Sequence, residues 1–230
     1  MKISGSRIII ECLREQNVDT VFGYPGGAIL PLYDALHDAP LRHILTVHEQ
    51  GAAHAADGYA RASGKVGVCI ATSGPGATNL VTGLATAYLD SVPIIAITGQ
   101  VGTSFLGRDA FQGVDVTGIT MPITKYNYLV QNTDELANVL REAFTVAREG
   151  RPGPVLIDVP RDVLTGECEF SPASDTPPPL YAHCPDSEFE STVNSAIDLL
   201  LAAKRPVMIV GGGVRSAHAR LETVRLCEKA

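Results

Sequence analysis

The residue best placed to do chemistry in this chain is Glu49, which stands between an apolar segment and a helix-forming one. Residues 44–47 predict a strand and residues 51–63 predict a helix, so the carboxylate would lie at the carboxyl end of a strand. Ligands bind at that edge of open α/β sheets. A carboxylate at a helix start often only stabilises the helix dipole, and for an arbitrary glutamate that would be the more frequent situation.

Two glycine-rich turns, residues 24–28 and 72–79, follow neighbouring strand candidates and should lie at the same edge. The free amide groups of the second turn could receive an anion or a polar ring, while Gly26-Gly27 is a weaker signal by itself. In the second turn, Gly74-x-Gly76-x-x-Asn79, asparagine replaces the last glycine of the dinucleotide-binding fingerprint, and a plain strand-to-helix turn is an equal alternative. One acid beside two glycine-rich turns suggests an enzyme that uses a cofactor.

Three further features could bind ligands, and each also has a purely structural explanation. The glycines at 211–213 could admit a nucleotide phosphate or a flavin, or form an ordinary turn. Arg151 could contact a phosphate or ribose, or be a surface cation. Phe111 and Gln112 lie in a long irregular segment, 99–122, of the kind that often forms active-site loops, although Phe111 could equally be packing.

Composition excludes several classes of protein. The 230 residues are 45% hydrophobic and carry a net charge of −7 without a basic cluster, which argues against nucleic-acid binding. The five cysteines are scattered without metal-ligand spacing, and Cys12 and Cys69 are expected in the core. No signal peptide and no apolar run of ~20 residues is present, so we expect a soluble, cytoplasmic protein without membrane association.

Strand and helix candidates alternate through the first two thirds of the chain, which predicts an α/β fold: a parallel sheet with helices on both faces. Expected strands span 19–24, 44–47, 66–72, 93–98, 126–130 and 154–159, and expected helices span 4–16, 28–37, 51–63, 77–89 and 134–148. We assign residues 1–167 to this first domain.

The proline-rich segment 168–187 is interpreted as a linker, and 188–230 as the start of a second, Rossmann-like α/β domain. That part should contain a helix at 189–203, a strand at 206–210 and a helix from 216. A single βα unit cannot cover its own apolar faces, so we expect an incomplete domain and a fragment of a longer protein.

Eight ordered motifs together resemble the large, catalytic subunits of the biosynthetic acetolactate synthase (acetohydroxyacid synthase) family of thiamine-diphosphate enzymes. The resemblance runs from about residue 4 to 165 and resumes at the Gly211 turn. The motifs are VFGYPGGA (21–28), HEQ (48–50), ADGYAR (56–61), TSGPGATN (72–79), DSVP (90–93), TGQ (98–100), DAFQ (109–112) and GRPGP (150–154).

The resemblance implies a three-domain enzyme of branched-chain amino acid biosynthesis, of which this chain would be the pyrimidine-binding domain and the opening of a central FAD-binding domain. Such enzymes condense two pyruvates to 2-acetolactate, or pyruvate and 2-ketobutyrate to 2-aceto-2-hydroxybutyrate, with loss of carbon dioxide. The implied cofactors are thiamine diphosphate, Mg²⁺ and FAD. The implied partners are 2-ketoacids, a second subunit in a homodimer or tetramer, and a regulatory small subunit.

The resemblance also implies roles for individual residues. Glu49 matches the catalytic glutamate that exchanges a proton with the pyrimidine ring of the cofactor. The other matched positions are Gln112, Gly26 and Gly27 at the thiamine cofactor, Phe111 and Ala28 at the substrate pocket, and Ser91, Arg151 and Gly212 at the flavin. The family's metal and diphosphate motif, Gly-Asp-Gly with a downstream Asn, is missing, so no metal ligand is expected here and the chain alone should be inactive.

Three alternatives stay open. The first is another thiamine-diphosphate enzyme: a pyruvate oxidase, a glyoxylate carboligase or a catabolic acetolactate synthase. Glu49 argues against the carboligase, which lacks that acid. The second is a non-catalytic folding or interaction module, and the third is a nucleotide-binding Rossmann protein, which should bind NAD.

Overall fold

The computed structural model describes residues 1–173 and 187–229, which belong to two compact units, 1–180 and 181–230. The first unit is built on a six-stranded, fully parallel sheet in the order β3-β2-β4-β5-β7-β6, with a separate antiparallel pair, β1-β8. The strands are β1 (Lys2–Ser4), β2 (Thr20–Gly23), β3 (Arg42–Leu45), β4 (Gly67–Ala71), β5 (Ile94–Gln100), β6 (Tyr126–Leu129), β7 (Val155–Pro160) and β8 (Glu167–Glu169).

Helices connect these strands and cover the sheet. The α-helices of the first unit are α1 (Gly5–Glu15), α2 (Leu30–His37), α3 (Glu49–Ser63), α4 (Pro75–Thr78), α5 (Val81–Leu89), α6 (Val116–Thr120), α7 (Leu136–Arg148) and α8 (Arg161–Thr165). Short 3-10 helices span Thr103–Phe105, Met121–Ile123 and Thr133–Glu135. Ser4 caps α1: its hydroxyl accepts a hydrogen bond from the Arg7 amide at 3.4 Å.

The apolar strands bury both faces because successive side chains point to opposite sides of the sheet. In β5, Ile95 and Ile97 join a core cluster with residues of α1, α2 and α7. Ile94 and Ala96 join a second cluster, built with α3 and α5. The predicted fold class, a parallel sheet with helices on both faces, is therefore confirmed for the first unit.

Several predicted boundaries in the first unit are wrong. The strand expected at 44–47 spans Arg42–Leu45, which leaves residues 46–48 as the connection into α3. The single helix expected at 77–89 is two helices, α4 and α5, because the chain turns at residues 79–80. The pair β1-β8 was not predicted, and through it Cys168 and Phe170, both buried, pack with the first unit.

The described part of the second unit, 187–229, forms three helices and no strand: α9 (Ser187–Ala202), α10 (Gly212–Ser216) and α11 (Arg220–Lys229). The strand predicted at 206–210 is therefore wrong. Val207 and Ile209 are 87% and 93% exposed there, and no strand among the described residues pairs with them. The helix expected from residue 216 begins at Arg220. Most of the predicted linker, residues 174–186, lies outside the described residues.

The four cysteines within the described residues are unpaired. Cys12, Cys69 and Cys168 are buried and Cys227 is exposed, so the core positions predicted for Cys12 and Cys69 are confirmed. Burial raises the pKa of the Cys69 thiol to about 12, which keeps it protonated and unreactive. No helix within 1–173 or 187–229 combines the length and the apolar character needed to cross a membrane.

Candidate cofactor site

Glu49 is the first residue of α3 and is only 8% exposed. The helix start is capped by His48, whose Nδ1 accepts a hydrogen bond from the Gln50 amide at 3.0 Å. A first-turn carboxylate is stabilised by the helix dipole, but such residues normally lie in solvent. Burial therefore separates Glu49 from an ordinary helix-start acid.

The two oxygens of the Glu49 carboxylate have different surroundings. Oε2 accepts a hydrogen bond from Asn79 Nδ2 at 2.9 Å. Oε1 accepts no hydrogen bond from any residue that the structure describes. Asn79 ends α4 and was not predicted as a site residue, although it belongs to the quoted 72–79 motif. One oxygen of this buried acid is thus available to a ligand.

The two glycine-rich turns meet at Thr72. A Cβ atom on Gly26 would lie 2.5 Å from Thr72 side-chain atoms, and one on Gly76 would lie 2.7 Å from Thr72 Cγ2 and 3.1 Å from Glu49 Oε1. The Thr72 hydroxyl accepts a hydrogen bond from the Ala28 amide at 3.3 Å. Both glycines are therefore needed for close packing, and the turns and the acid form one contiguous site.

Four predicted residues, Gly27, Ala28, Phe111 and Gln112, line one cleft of about 580 Å³ at the carboxyl edge of the sheet. Arg161, at the start of α8, lines it as well. Phe111 is 88% exposed, so its ring is not part of the core formed by the described residues. Gln112 has a φ of 59°, a left-handed conformation uncommon for a residue other than glycine. The cleft has room and an apolar ring for a small organic ligand.

Ser91 and Arg151, predicted at the flavin, lie at the opposite edge of the sheet, since each precedes the strand that follows it, β5 and β7 respectively. They contact each other: Arg151 Nε donates to Ser91 Oγ at 2.7 Å, and its Nη2 donates to the Leu89 carbonyl at 2.9 Å. Gly212 is the first residue of α10 in the second unit, with open space around its Cα. Within the first unit, the residues predicted at the flavin thus lie at the opposite edge of the sheet from those predicted at the thiamine cofactor.

A second cavity, of about 310 Å³, has a buried carboxylate in its wall that the sequence did not reveal. Asp158 in β7 is 1% exposed and accepts hydrogen bonds from Thr98 Oγ1 at 2.6 Å and Gln100 Nε2 at 2.8 Å. Burial raises the pKa of Asp158 to about 6, although both hydrogen bonds act in the other direction. Through these hydrogen bonds the Asp158 carboxylate links β7 to β5, beside the irregular loop that lines the same cavity.

No group of three or more His, Cys, Asp or Glu side chains that could hold a metal ion occurs in 1–173 or 187–229. The described residues of the site provide two glycine turns and one buried acid.

Comparison with known protein families gives a match over residues 3–119 to the family described as thiamine pyrophosphate enzyme, N-terminal TPP binding domain. Thiamine pyrophosphate is the same compound as thiamine diphosphate. The matched segment contains both glycine turns, Glu49, Asn79 and the Phe111-Gln112 pair. It covers the strands whose carboxyl ends carry the turns.

Curated relatives share about half of their residues with this chain. It is 52% identical over 231 residues to the acetolactate synthase of Mycobacterium bovis, covering 99% of this chain and 37% of that protein. It is 53% identical over 217 residues to the acetolactate synthase isozyme 2 large subunit of Escherichia coli, covering 94% and 39%. A probable acetolactate synthase large subunit of Methanocaldococcus jannaschii is 50% identical over 231 residues, covering 98% and 39%. The chain spans less than two fifths of the length of each.

Proposed function

Because the chain belongs to the family of thiamine pyrophosphate enzymes, we propose that it supplies the cofactor-activating acid of an acetolactate synthase large subunit. The reaction would be the decarboxylative condensation of two pyruvates to 2-acetolactate, or of pyruvate with 2-ketobutyrate. The observation that carries the proposal is the setting of Glu49. This carboxylate is buried, one of its oxygens accepts no hydrogen bond from the described residues, and two glycine turns lie beside it at the carboxyl edge of the sheet.

The residues of the site fit the pyrimidine end of thiamine diphosphate. Gly76 leaves the space beside Glu49 Oε1 open, and Gly26 allows the first turn to approach Thr72 closely. When bound, the cofactor supplies an electron sink for decarboxylation and carbon–carbon bond formation. The chain's own part is to hold a proton at Glu49 Oε1, to orient the ring between the turns and to line the substrate cleft with Ala28, Phe111 and Gln112.

FAD would bind at the other edge of the sheet. Arg151 is exposed and anchored by Ser91 and the Leu89 carbonyl, so its remaining N–H groups can meet a phosphate or ribose. Gly212 begins α10, where an added Cβ would meet nothing within 4 Å, and we interpret the second unit as part of a flavin-binding domain. Mg²⁺ belongs to the proposed activity, but we assign it no ligand among the described residues.

The partners follow from the same proposal. Several relatives are named large subunits, which is consistent with a regulatory small subunit as partner of this protein. We further propose a homodimer or tetramer, in which a second subunit completes the cofactor site. A cytosolic location agrees with the unpaired state of the four cysteines in 1–173 and 187–229.

Product analysis tests the proposed function. The full-length gene product, incubated with pyruvate, thiamine diphosphate, Mg²⁺ and FAD, should form 2-acetolactate and carbon dioxide. Acetate with hydrogen peroxide would instead indicate a pyruvate oxidase, and acetolactate formed by a flavin-free protein would indicate a catabolic enzyme. A rise in melting temperature with NAD, and none with thiamine diphosphate, would contradict the proposal in favour of a nucleotide-binding protein.

A further inference from the structure

We infer that Asn79 is a positioning residue for the acid: its amide holds Glu49 Oε2 so that Oε1 alone faces the cofactor. This inference rests on the proposed role of Glu49 and adds the device that decides which carboxylate oxygen exchanges the proton. It follows from the contact between Asn79 Nδ2 and Glu49 Oε2, at 2.9 Å, across 30 residues of sequence.

The 72–79 turn gives the two oxygens of the carboxylate different surroundings. Asn79 donates to Oε2, while Gly76, three residues earlier, leaves open the space beside Oε1. Oε2 is therefore held by a hydrogen-bond donor, while Oε1 faces a position without a side chain. An ionised carboxylate only accepts hydrogen bonds, so the amide must present its NH₂ group to Oε2.

The side chain of Asn79 is not needed to end α4. The backbone N–H of Asn79 already donates to the Pro75 carbonyl at 3.2 Å, and the side chain turns away from its own helix to Glu49 in α3. The contact is partly buried, where a charge-assisted hydrogen bond is less screened than in water. Its effect is therefore to fix the orientation of the acid.

Two substitutions of similar size separate orientation from folding. Asn79→Leu removes the donor and keeps the volume, while Asn79→Asp keeps the shape and places a second carboxylate against Glu49. Thr82→Ala, at an exposed position in the first turn of α5, is the matched control. The measurement is the rate of C2 proton exchange of thiamine diphosphate bound to the full-length protein, followed by NMR across a pH series, with cofactor affinity and melting temperature measured in parallel.

We expect Asn79→Leu to lower the exchange rate about tenfold, with a smaller change in cofactor affinity, because a charge-assisted hydrogen bond no longer orients the acid. Asn79→Asp should also move the pH dependence of exchange to higher pH, since two carboxylates this close cannot both ionise readily. Thr82→Ala should behave as the wild type.

An unchanged exchange rate and pH dependence in either folded variant would overturn the inference. A second pattern would also overturn it: exchange falls only as far as cofactor affinity falls, and Asn79→Asp keeps the pH dependence of the wild type. That pattern would indicate a purely structural role. If Asn79→Leu does not fold, the isosteric Asn79→Asp decides the question. Glu49→Gln, measured alongside, separates the two proposals: wild-type exchange in that variant would remove the role of Glu49 itself.

Discussion

A Cβ atom on Gly76 would lie 3.1 Å from Glu49 Oε1, the carboxylate oxygen to which no described residue donates a hydrogen bond. The smallest possible residue thus lies beside the oxygen of a buried acid that accepts no hydrogen bond within 1–173 and 187–229. The same Cβ would lie 2.7 Å from Thr72 Cγ2, closer than packed carbon atoms approach each other. The site is therefore sterically organised around this glycine.

Gly76→Ala should push Glu49 or Thr72 aside and lower the rate of C2 proton exchange roughly tenfold to 100-fold, because displacements of about 1 Å cost rates of that order. Overpacking should also destabilise the protein by about 1–3 kcal/mol. The matched control is Gly58→Ala on the exposed side of α3, where an added Cβ meets nothing within 4 Å. Gly58→Ala should stabilise the helix by up to about 1 kcal/mol. A wild-type exchange rate in Gly76→Ala would show that the space beside Glu49 Oε1 does not depend on this glycine.

Thr72→Val should loosen the first glycine turn, because it removes the hydroxyl that accepts the Ala28 N–H. Leaving this partly buried N–H unpaired should cost about 1 kcal/mol of unfolding free energy. Hydrogen exchange of the Ala28 amide should become faster, and cofactor affinity should fall. Thr72→Ser keeps the acceptor and should protect this amide nearly as well as the wild type; equal protection in Thr72→Val would show that the hydrogen bond contributes nothing.

Asp158 should make the protein lose stability as the pH rises from about 4 to 6. Its pKa is raised from 3.8 to about 6 by burial, so in this window the unfolded chain releases the proton while the folded protein retains it. Stability falls with pH wherever the folded state binds more protons. A pKa shift of this size corresponds to roughly 3 kcal/mol of unfolding free energy, most of which is lost by about pH 6.

Asp158→Asn should remove that decline, since an amide can still pair with Thr98 and Gln100 but does not titrate. The measurement is urea unfolding at a series of pH values, compared as the difference between variant and wild type. Asp34→Asn, at an exposed aspartate, should leave the pH dependence unchanged. Parallel curves for Asp158→Asn and the wild type would show that Asp158 is ionised throughout this range.

Arg151→Gln should lower the flavin content of the purified full-length protein without slowing C2 proton exchange. The reason is position: Arg151 lies at the amino edge of the sheet and Glu49 at the carboxyl edge. Arg42→Gln, which replaces an exposed arginine whose side chain makes no hydrogen bond within the described residues, should retain flavin. Visible absorbance measures flavin, and an unaltered spectrum for Arg151→Gln would remove this residue from the flavin site.

The sheet could be predicted because its apolar segments are buried on both faces. Ile94–Ile97 is fully buried in β5, where β4 and β7 pair with it on either side. Residues 207–210 carry the same signal, yet they are exposed and unpaired within the described residues. An apolar run thus specifies a strand only when neighbouring strands supply the hydrogen bonds, and a local pattern does not contain that information.

The grouping of Glu49 with the two glycine turns was predictable, but the contacts among these residues were not. Glu49 and the glycine turns follow strands, so topology alone brings them to one edge. The pairing of Asn79 with Glu49 depends on where α4 ends, a boundary that the sequence pattern misplaced by merging α4 with α5. Asp158 was missed because it interrupts a buried strand as a single polar residue, with partners in β5 that only the strand register reveals.

The most direct test of the central claim is the C2 proton exchange rate of thiamine diphosphate bound to the full-length Glu49→Gln protein. The amide has nearly the same shape as the acid but cannot exchange a proton at Oε1. Exchange should be slower by orders of magnitude, with the cofactor still bound and the melting temperature near that of the wild type. Exchange at the wild-type rate in a folded, cofactor-loaded variant would contradict it.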